Sequence, residues 1–183
     1  MNDLRRRGAQ SPRMTSVDVL LDAFGRIPEA VHDVLGGLTS KQLTYRVDRD
    51  ANSIAWLVWH MSRIADDHVS EVARREQVWT AGGWARRWRL PFDDEDTGYG
   101  HSSRQVAAVT GRPRLLRGYF DAVHEMTVDY VHGLSDADLD VVVDERWDPP
   151  VTLGVRLVSV AGHNFEQSAQ AAFIRGVLDR KVR

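Results

Sequence analysis

Apolar residues recur at the three-and-four spacing of an α-helix over four long stretches of the chain. In the first, Val17, Leu20, Leu21, Phe24, Ile27, Val31, Val34 and Leu35 form one stripe, which predicts a helix from about Ser16 to Leu35. Thr15 or Ser16 can cap its start, and Gly36-Gly37 ends it. Pro28 lies inside that span and predicts a kink or a division in two. A second helix is predicted from Asn52 or Ser53 to about Trp79, stopped by Gly82-Gly83. A third starts near Ser102 or Ser103, is interrupted at Gly111-Arg112-Pro113, and continues to about His132. The fourth is capped by Thr152 and runs to about Asp179. Thr39 to Asp50 reads as a connector, Ser135 to Asp138 as one short turn, and Val141 to Val143 as briefly extended.

No segment shows the strict alternation of a half-buried strand, and no internal repeat appears. The pattern predicts an all-α four-helix bundle. Between the second and third helices lies an irregular stretch from Gly82 to about His101, carrying Trp84, Trp88, Pro91, Phe92, Asp93 to Asp96, and Gly98-Tyr99-Gly100. Loops of that length in a small domain are uncommon and often functional. This one is long enough to cross the bundle, so the helices on either side can run parallel. Its aromatic residues predict that it packs across the body.

Composition narrows the chemistry. The chain has 183 residues, 43% of them apolar, enough for one domain with a core. Residues 15–183 are expected to form that domain, behind a basic, disordered tail at 1–14. A net charge of −2 argues against nucleic-acid binding through phosphate neutralisation. Nothing approaches the run of about 18 apolar residues that spans a membrane, and no signal-peptide core follows the N-terminal arginines, so a cytoplasmic location is expected. With no cysteine, the chain offers no thiol nucleophile, disulfide or Cys-ligated metal. Any metal must be held by His, Asp, Glu or neutral oxygens.

On the second helix, Ile54, Val58, Met61, Ala65, Val69 and Val72 form the core face, at roughly 100–180° from His60. His60 falls instead near Trp56, Ile64, Asp67 and Glu71, on a polar stripe at the core's edge. Two readings stay open, a histidine in a cleft and a surface histidine, and pattern alone favours the second. On the fourth helix, Leu157, Val158, Ala161, Phe165, Ala169 and Ala172 read as the apolar arc. His163, Gln167 and Gln170 form a mostly neutral line suited to a cavity, with Asn164 and Ser168 on another side. Residues at i and i+4 on a helix can contact one metal, although a half-buried polar stripe explains the line equally well. His101, after Gly98-Tyr99-Gly100, reads as a loop anchor more readily than a ligand contact, and His68 as a packing or surface residue.

The segment from Ser53 to His68, including Trp56, Trp59 and His60, resembles the second-helix motif of the DinB-like superfamily. It is most similar to the actinobacterial branch of mycothiol-dependent transferases and maleylpyruvate isomerase N-terminal domains. The stretches Trp147 to Gly154, Val158 to Val160 and Gln170 to Gly176 resemble that branch's last helix, and Trp79 to Trp84, Leu90 to Phe92 and Thr97 to Ser103 its crossover. The resemblance covers nearly all of residues 15–180 and implies an up-down-down-up bundle. It implies a divalent zinc or nickel ion held by His60, His163 and Gln167, the last standing where relatives usually have His. It also implies an acceptor pocket shaped by Trp56, with His101, Asp67 and Gln170 around it.

Two functions follow from that resemblance. One is a metal-dependent S-transferase that conjugates a low-molecular-weight thiol, expected to be mycothiol, to a small electrophile. The other is a non-catalytic stress protein that binds a small ligand or partner through a degenerate metal site. A homodimer through a helix face is compatible with either. Maleylpyruvate isomerase activity is not expected, because those enzymes carry a further C-terminal domain.

Overall fold

The computed structural model describes residues 14–181, so most of the expected basic tail lies outside the described residues. The first predicted helix divides into α1 (Ser16–Gly25) and α2 (Ile27–Leu35). Thr15 and Asp18 form a reciprocal capping box at the start of α1. The break falls at Arg26, whose N–H turns back to Ala23 and Phe24 while Pro28 occupies the first turn of α2. The connector contains a short helix that the apolar pattern does not announce, α3 (Ser40–Leu43), fixed by a capping box of Thr39 and Gln42. Arg46 then donates to the carbonyls of Arg49, Ala51 and Ser103 and holds the connector against the start of α7 (Ser103–Ala108).

The second long helix, α4 (Ile54–Val72), is shorter than predicted. Ser53 caps it at Trp56 N. It ends because Asp66 collects the backbone N–H groups of Val78 and Trp79 at 2.8 and 2.7 Å, which starts α5 (Val78–Ala81) in a new direction. Arg74 takes φ 51° in the intervening turn. The crossover then forms α6 (Trp84–Trp88), and its indoles pack as expected: Trp79, Trp84 and Trp88 lie around Tyr119 with ring centroids 5.0, 5.8 and 6.1 Å away. Tyr119 belongs to α8 (Pro113–His132), and α9 (Leu153–Lys181) completes the bundle. Two short strands, β1 (Val142–Asp144) and β2 (Val151–Thr152), pair antiparallel before α9, and β1 overlaps the stretch expected to be extended.

Side-chain contacts fix how the long helices run. Asp66 meets Tyr119 and Val72 meets Tyr130, so α4 and α8 point the same way. His60 lies against His163 while Glu71 reaches Arg156, so α4 and α9 are antiparallel. α4 is the central helix and is buried nearly all round in its first half, including Trp59, His60, Ser62 and Arg63. Among the described residues no helix is long and apolar enough to cross a membrane.

The orientation of α9 differs from the predicted arc. Leu157 and Ala161 are buried, but Val158, Phe165, Ala169 and Ala172 are exposed. Val160, Asn164, Gln167, Ser168, Ala171 and Ile174 face inward instead. Apolar residues occupy both sides of this helix, so hydropathy alone does not choose between them.

Arg63 and Asp66 have no solvent exposure, lie 3.7 Å apart, and join α4 to α5, α8 and the crossover. Asp66→Ala leaves a buried guanidinium without its carboxylate and frees two backbone N–H groups. The expected cost is about 3–5 kcal/mol, read as a lower urea midpoint. A loss under about 1 kcal/mol would show that the pair is dispensable.

Candidate functional site

His60 is 6% exposed, so the cleft reading replaces the surface one. The crossover accounts for this burial by folding over the polar stripe of α4. Thr97 contributes its carbonyl at 2.6 Å from His60 Nδ1. A carbonyl only accepts, so Nδ1 carries the proton and the lone pair sits on Nε2. Trp56 stacks on the imidazole with centroids 4.4 Å apart. Burial, the largest influence, pushes the His60 pKa down to about 4, against a smaller opposing pull from the Thr97 bond.

The Thr97 carbonyl is delivered by an unusual backbone path. Gly98 has φ +92°, and a Cβ there would lie 2.8 Å from Trp59 Cζ3 and 3.0 Å from His60 Nδ1. Asp96 accepts from Gly98 N at 2.7 Å and from His101 Nε2 at 3.0 Å. Trp56 Nε1–H donates to His101 Nδ1 at 3.1 Å. Both His101 nitrogens are thus committed, and its ring also stacks on Trp59 at 5.8 Å. His101 anchors the loop and supports Trp56. It does not present a free lone pair to a ligand. Tyr99, between its two glycines, points to solvent.

Across from His60, α9 supplies His163 at a centroid distance of 4.9 Å and an interplanar angle of 80°. Gln167 follows one turn later on the same face and is buried. His163 Nε2 and Gln167 Oε1 are buried and have no hydrogen-bond partner. Unpaired buried polar atoms are costly unless something satisfies them. Burial lowers the pKa of His163, and His68 adds to the effect. A buried imidazole, a half-buried one and an amide oxygen one turn further along α9 are thus neutral donors of the kind a divalent cation takes. Among the described residues no group of three or more His, Asp and Glu is placed to hold a metal.

Two residues expected around this site lie elsewhere. Asp67 accepts from Gln77 Nε2 at 2.8 Å and braces the turn after α4. Gln170 is exposed and lines a separate groove of about 500 Å³ with Val47, Asn52 and Phe173. Three steps of about 100° place Gln170 about 60° round α9 from Gln167, enough to turn it to solvent while Gln167 stays buried. The arginine and aspartate that hold the crossover, Arg63 and Asp66, carry no mark in the linear pattern. Only their place on an otherwise buried helix sets them apart.

The sequence matches the DinB superfamily over residues 23–170. The chain belongs to the DinB superfamily. That superfamily includes metal-dependent enzymes. The fold is similar to the crystal structure of the conserved protein of locus from Enterococcus faecalis, with 27% sequence identity and a TM-score of 0.83. That likeness covers 89% of this chain and 96% of the other. No curated protein matches the chain.

Within this DinB-superfamily fold, Gly98→Ala is expected to push the crossover off Trp59 and His60. The cost should be about 1–3 kcal/mol, with a changed near-ultraviolet circular dichroism from the Trp56–Trp59 cluster. Acidification gives an independent check. In metal-free protein, unfolded His60 takes up a proton near pH 6.5 but the folded side chain resists until about 4. The unfolded state therefore binds more protons in that window, and stability falls as pH drops from about 6.5 to 4. Urea midpoints measured in chelator should show this slope, and His60→Gln should make it shallower.

Proposed function

We propose that the protein is a metal-dependent S-transferase that joins a low-molecular-weight thiol to a small electrophile, with mycothiol as the expected thiol. The observation that carries this reading is the pair of buried, unpartnered polar atoms, His163 Nε2 and Gln167 Oε1, on the wall facing the bare Nε2 of His60. These residues fit a divalent ion, and the resemblance drawn from the sequence implies His60, His163 and Gln167 as its ligands. The chain has no cysteine, so sulfur chemistry requires a thiol brought by a cosubstrate. Held by these neutral donors, a zinc or nickel ion would supply a Lewis acid able to lower the pKa of the cosubstrate thiol.

The protein's own residues prepare that site. Thr97 holds the His60 proton on Nδ1 and keeps Nε2 available. Trp56 stacks on the ring and limits its rotation. Burial keeps both imidazoles neutral at pH 7, so neither lone pair is lost to a proton. Trp56 and the crossover give the acceptor side an apolar wall. The location consistent with this reading is the cytoplasm, where low-molecular-weight thiols stay reduced.

A second reading has one specific observation in its favour. Gln167 offers a neutral amide oxygen, a weaker ligand for zinc or nickel than histidine. On that reading the fold is a non-catalytic binding protein for a small ligand or partner chain, with a degenerate metal site.

Metal analysis of protein purified without a histidine tag separates the two, followed by thiol-conjugation assays with and without added zinc or nickel. The transferase reading expects metal-stimulated conjugation that His163→Ala reduces at least about 100-fold. Gln167→His should tighten metal binding by about 10-fold or more. No bound metal and no metal-stimulated conjugation would falsify the transferase reading. Tight metal binding by Gln167→His without conjugation would favour the degenerate site.

A further inference from the structure

A second cavity, of about 350 Å³, opens where the β1–β2 ribbon meets α4 and α9. His68, Asp144, Arg146, Trp147, Arg156 and Ser159 line it. Its hydrogen-bonding groups are unevenly disposed. Arg156 is buried and donates to His68 Nδ1 at 2.8 Å, to Glu71 at 2.9 Å and to Asp144 at 3.3 Å. Arg146 grips the same Asp144 through Nε at 2.9 Å and Nη2 at 2.8 Å. The acidic partner in the cavity wall is therefore already committed.

The guanidinium of Arg156 has no lone pair to offer, so His68 Nδ1 must be the acceptor in their bond. The His68 proton is then on Nε2, which has no hydrogen-bond partner among the described residues. Burial, followed by the Arg156 charge, lowers the His68 pKa and favours this neutral form. Ser159 is exposed, and Arg146 Nη1 has no protein acceptor. The free polar groups are thus His68 Nε2–H, the Ser159 hydroxyl and an Arg146 N–H. Asp144 and Glu71 balance the two arginines and are occupied by them, so each group left free in the lining offers an N–H or O–H. The remaining wall is flat and apolar. Trp147 is 66% exposed, which is unusual for the largest apolar side chain, and lies beside the donors.

We propose that this cavity binds an aromatic carboxylate, with its ring stacked on Trp147 and its carboxylate held by His68 Nε2–H, Ser159 and Arg146. Convergent donors beside carboxylates that are already occupied favour an anion, and an exposed indole favours a planar ring. Ser159 lies one helical turn before His163 on α9, about 6 Å along the axis. The carboxylate end of the site therefore lies about one helical turn from His163. Its role as the anchor of the electrophile rests on the transferase reading, but the binding itself does not.

Titration calorimetry with 2-naphthoate on chelator-treated protein tests the site without metal or turnover. The expected Kd is about 1 mM or tighter. Trp147→Ala and Arg146→Met should each weaken binding at least about 10-fold, while Trp147→Phe stays within about threefold of the parent. The neutral probe 2-naphthamide should bind at least about 10-fold more weakly than the carboxylate. These changes lie at exposed positions, and unchanged far-ultraviolet circular dichroism verifies the fold. No binding of 2-naphthoate at 10-fold above that Kd overturns the proposal, as does equal affinity for the amide or for Trp147→Ala. Binding retained in chelator together with no metal-stimulated conjugation would remove the transferase reading and leave this site standing.

Discussion

The ion pair of Arg63 and Asp66 is the constraint on which the rest of the molecule depends. Two opposite charges with no solvent contact gain little from each other alone, because leaving water costs each of them several kcal/mol. Here the cost is offset by the bonds around them. Asp66 takes two backbone N–H groups, the Ser70 hydroxyl and the Tyr119 hydroxyl. Arg63 gives to the carbonyls of Asp94 and Asp96 and to Gln77. Burial and the Asp66 carboxylate push the Tyr119 pKa well above its ordinary range, so the phenol keeps the proton it donates. One turn of α4 thereby ends its own helix, starts α5, docks α8 and pins the crossover.

The candidate metal site inherits its geometry from that pin. With Asp96 held by Arg63 on one side and by His101 on the other, the next residues have one path, through the positive φ of Gly98. That path aims Thr97 at His60 and decides which imidazole nitrogen is bare. α9 then brings His163 and Gln167 to the opposite wall. Both helices present neutral donors, and burial keeps the imidazoles from competing for protons. The chemistry of the site is therefore set as much by a loop carbonyl as by the ligands.

Much of this was legible in the sequence where local rules act alone. Caps at Thr15 and Ser53, the break near Pro28 and the interruption before Pro113 all follow from backbone chemistry within a few residues. The pairing of His163 with Gln167 follows from one helical turn. The end of α4 was not legible, because no glycine or proline marks it. It is imposed by Asp66 reaching residues 12 and 13 positions on. The face of α9 was misread for a related reason. Phe165 and Val158 are as apolar as Leu157, and only the packed neighbours decide that Asn164 and Ser168 go inside. His60 sits on a polar stripe in one dimension and under a loop in three.

Arg63 holds the crossover through main-chain carbonyls, not through side chains. Every residue type carries the same carbonyl. The side chains of Asp93, Asp94 and Glu95 can therefore drift without loosening the loop that covers His60. The exposed charge of the crossover is thus separated from the scaffold that supports it, so selection can revise that surface while the course of the backbone stays fixed.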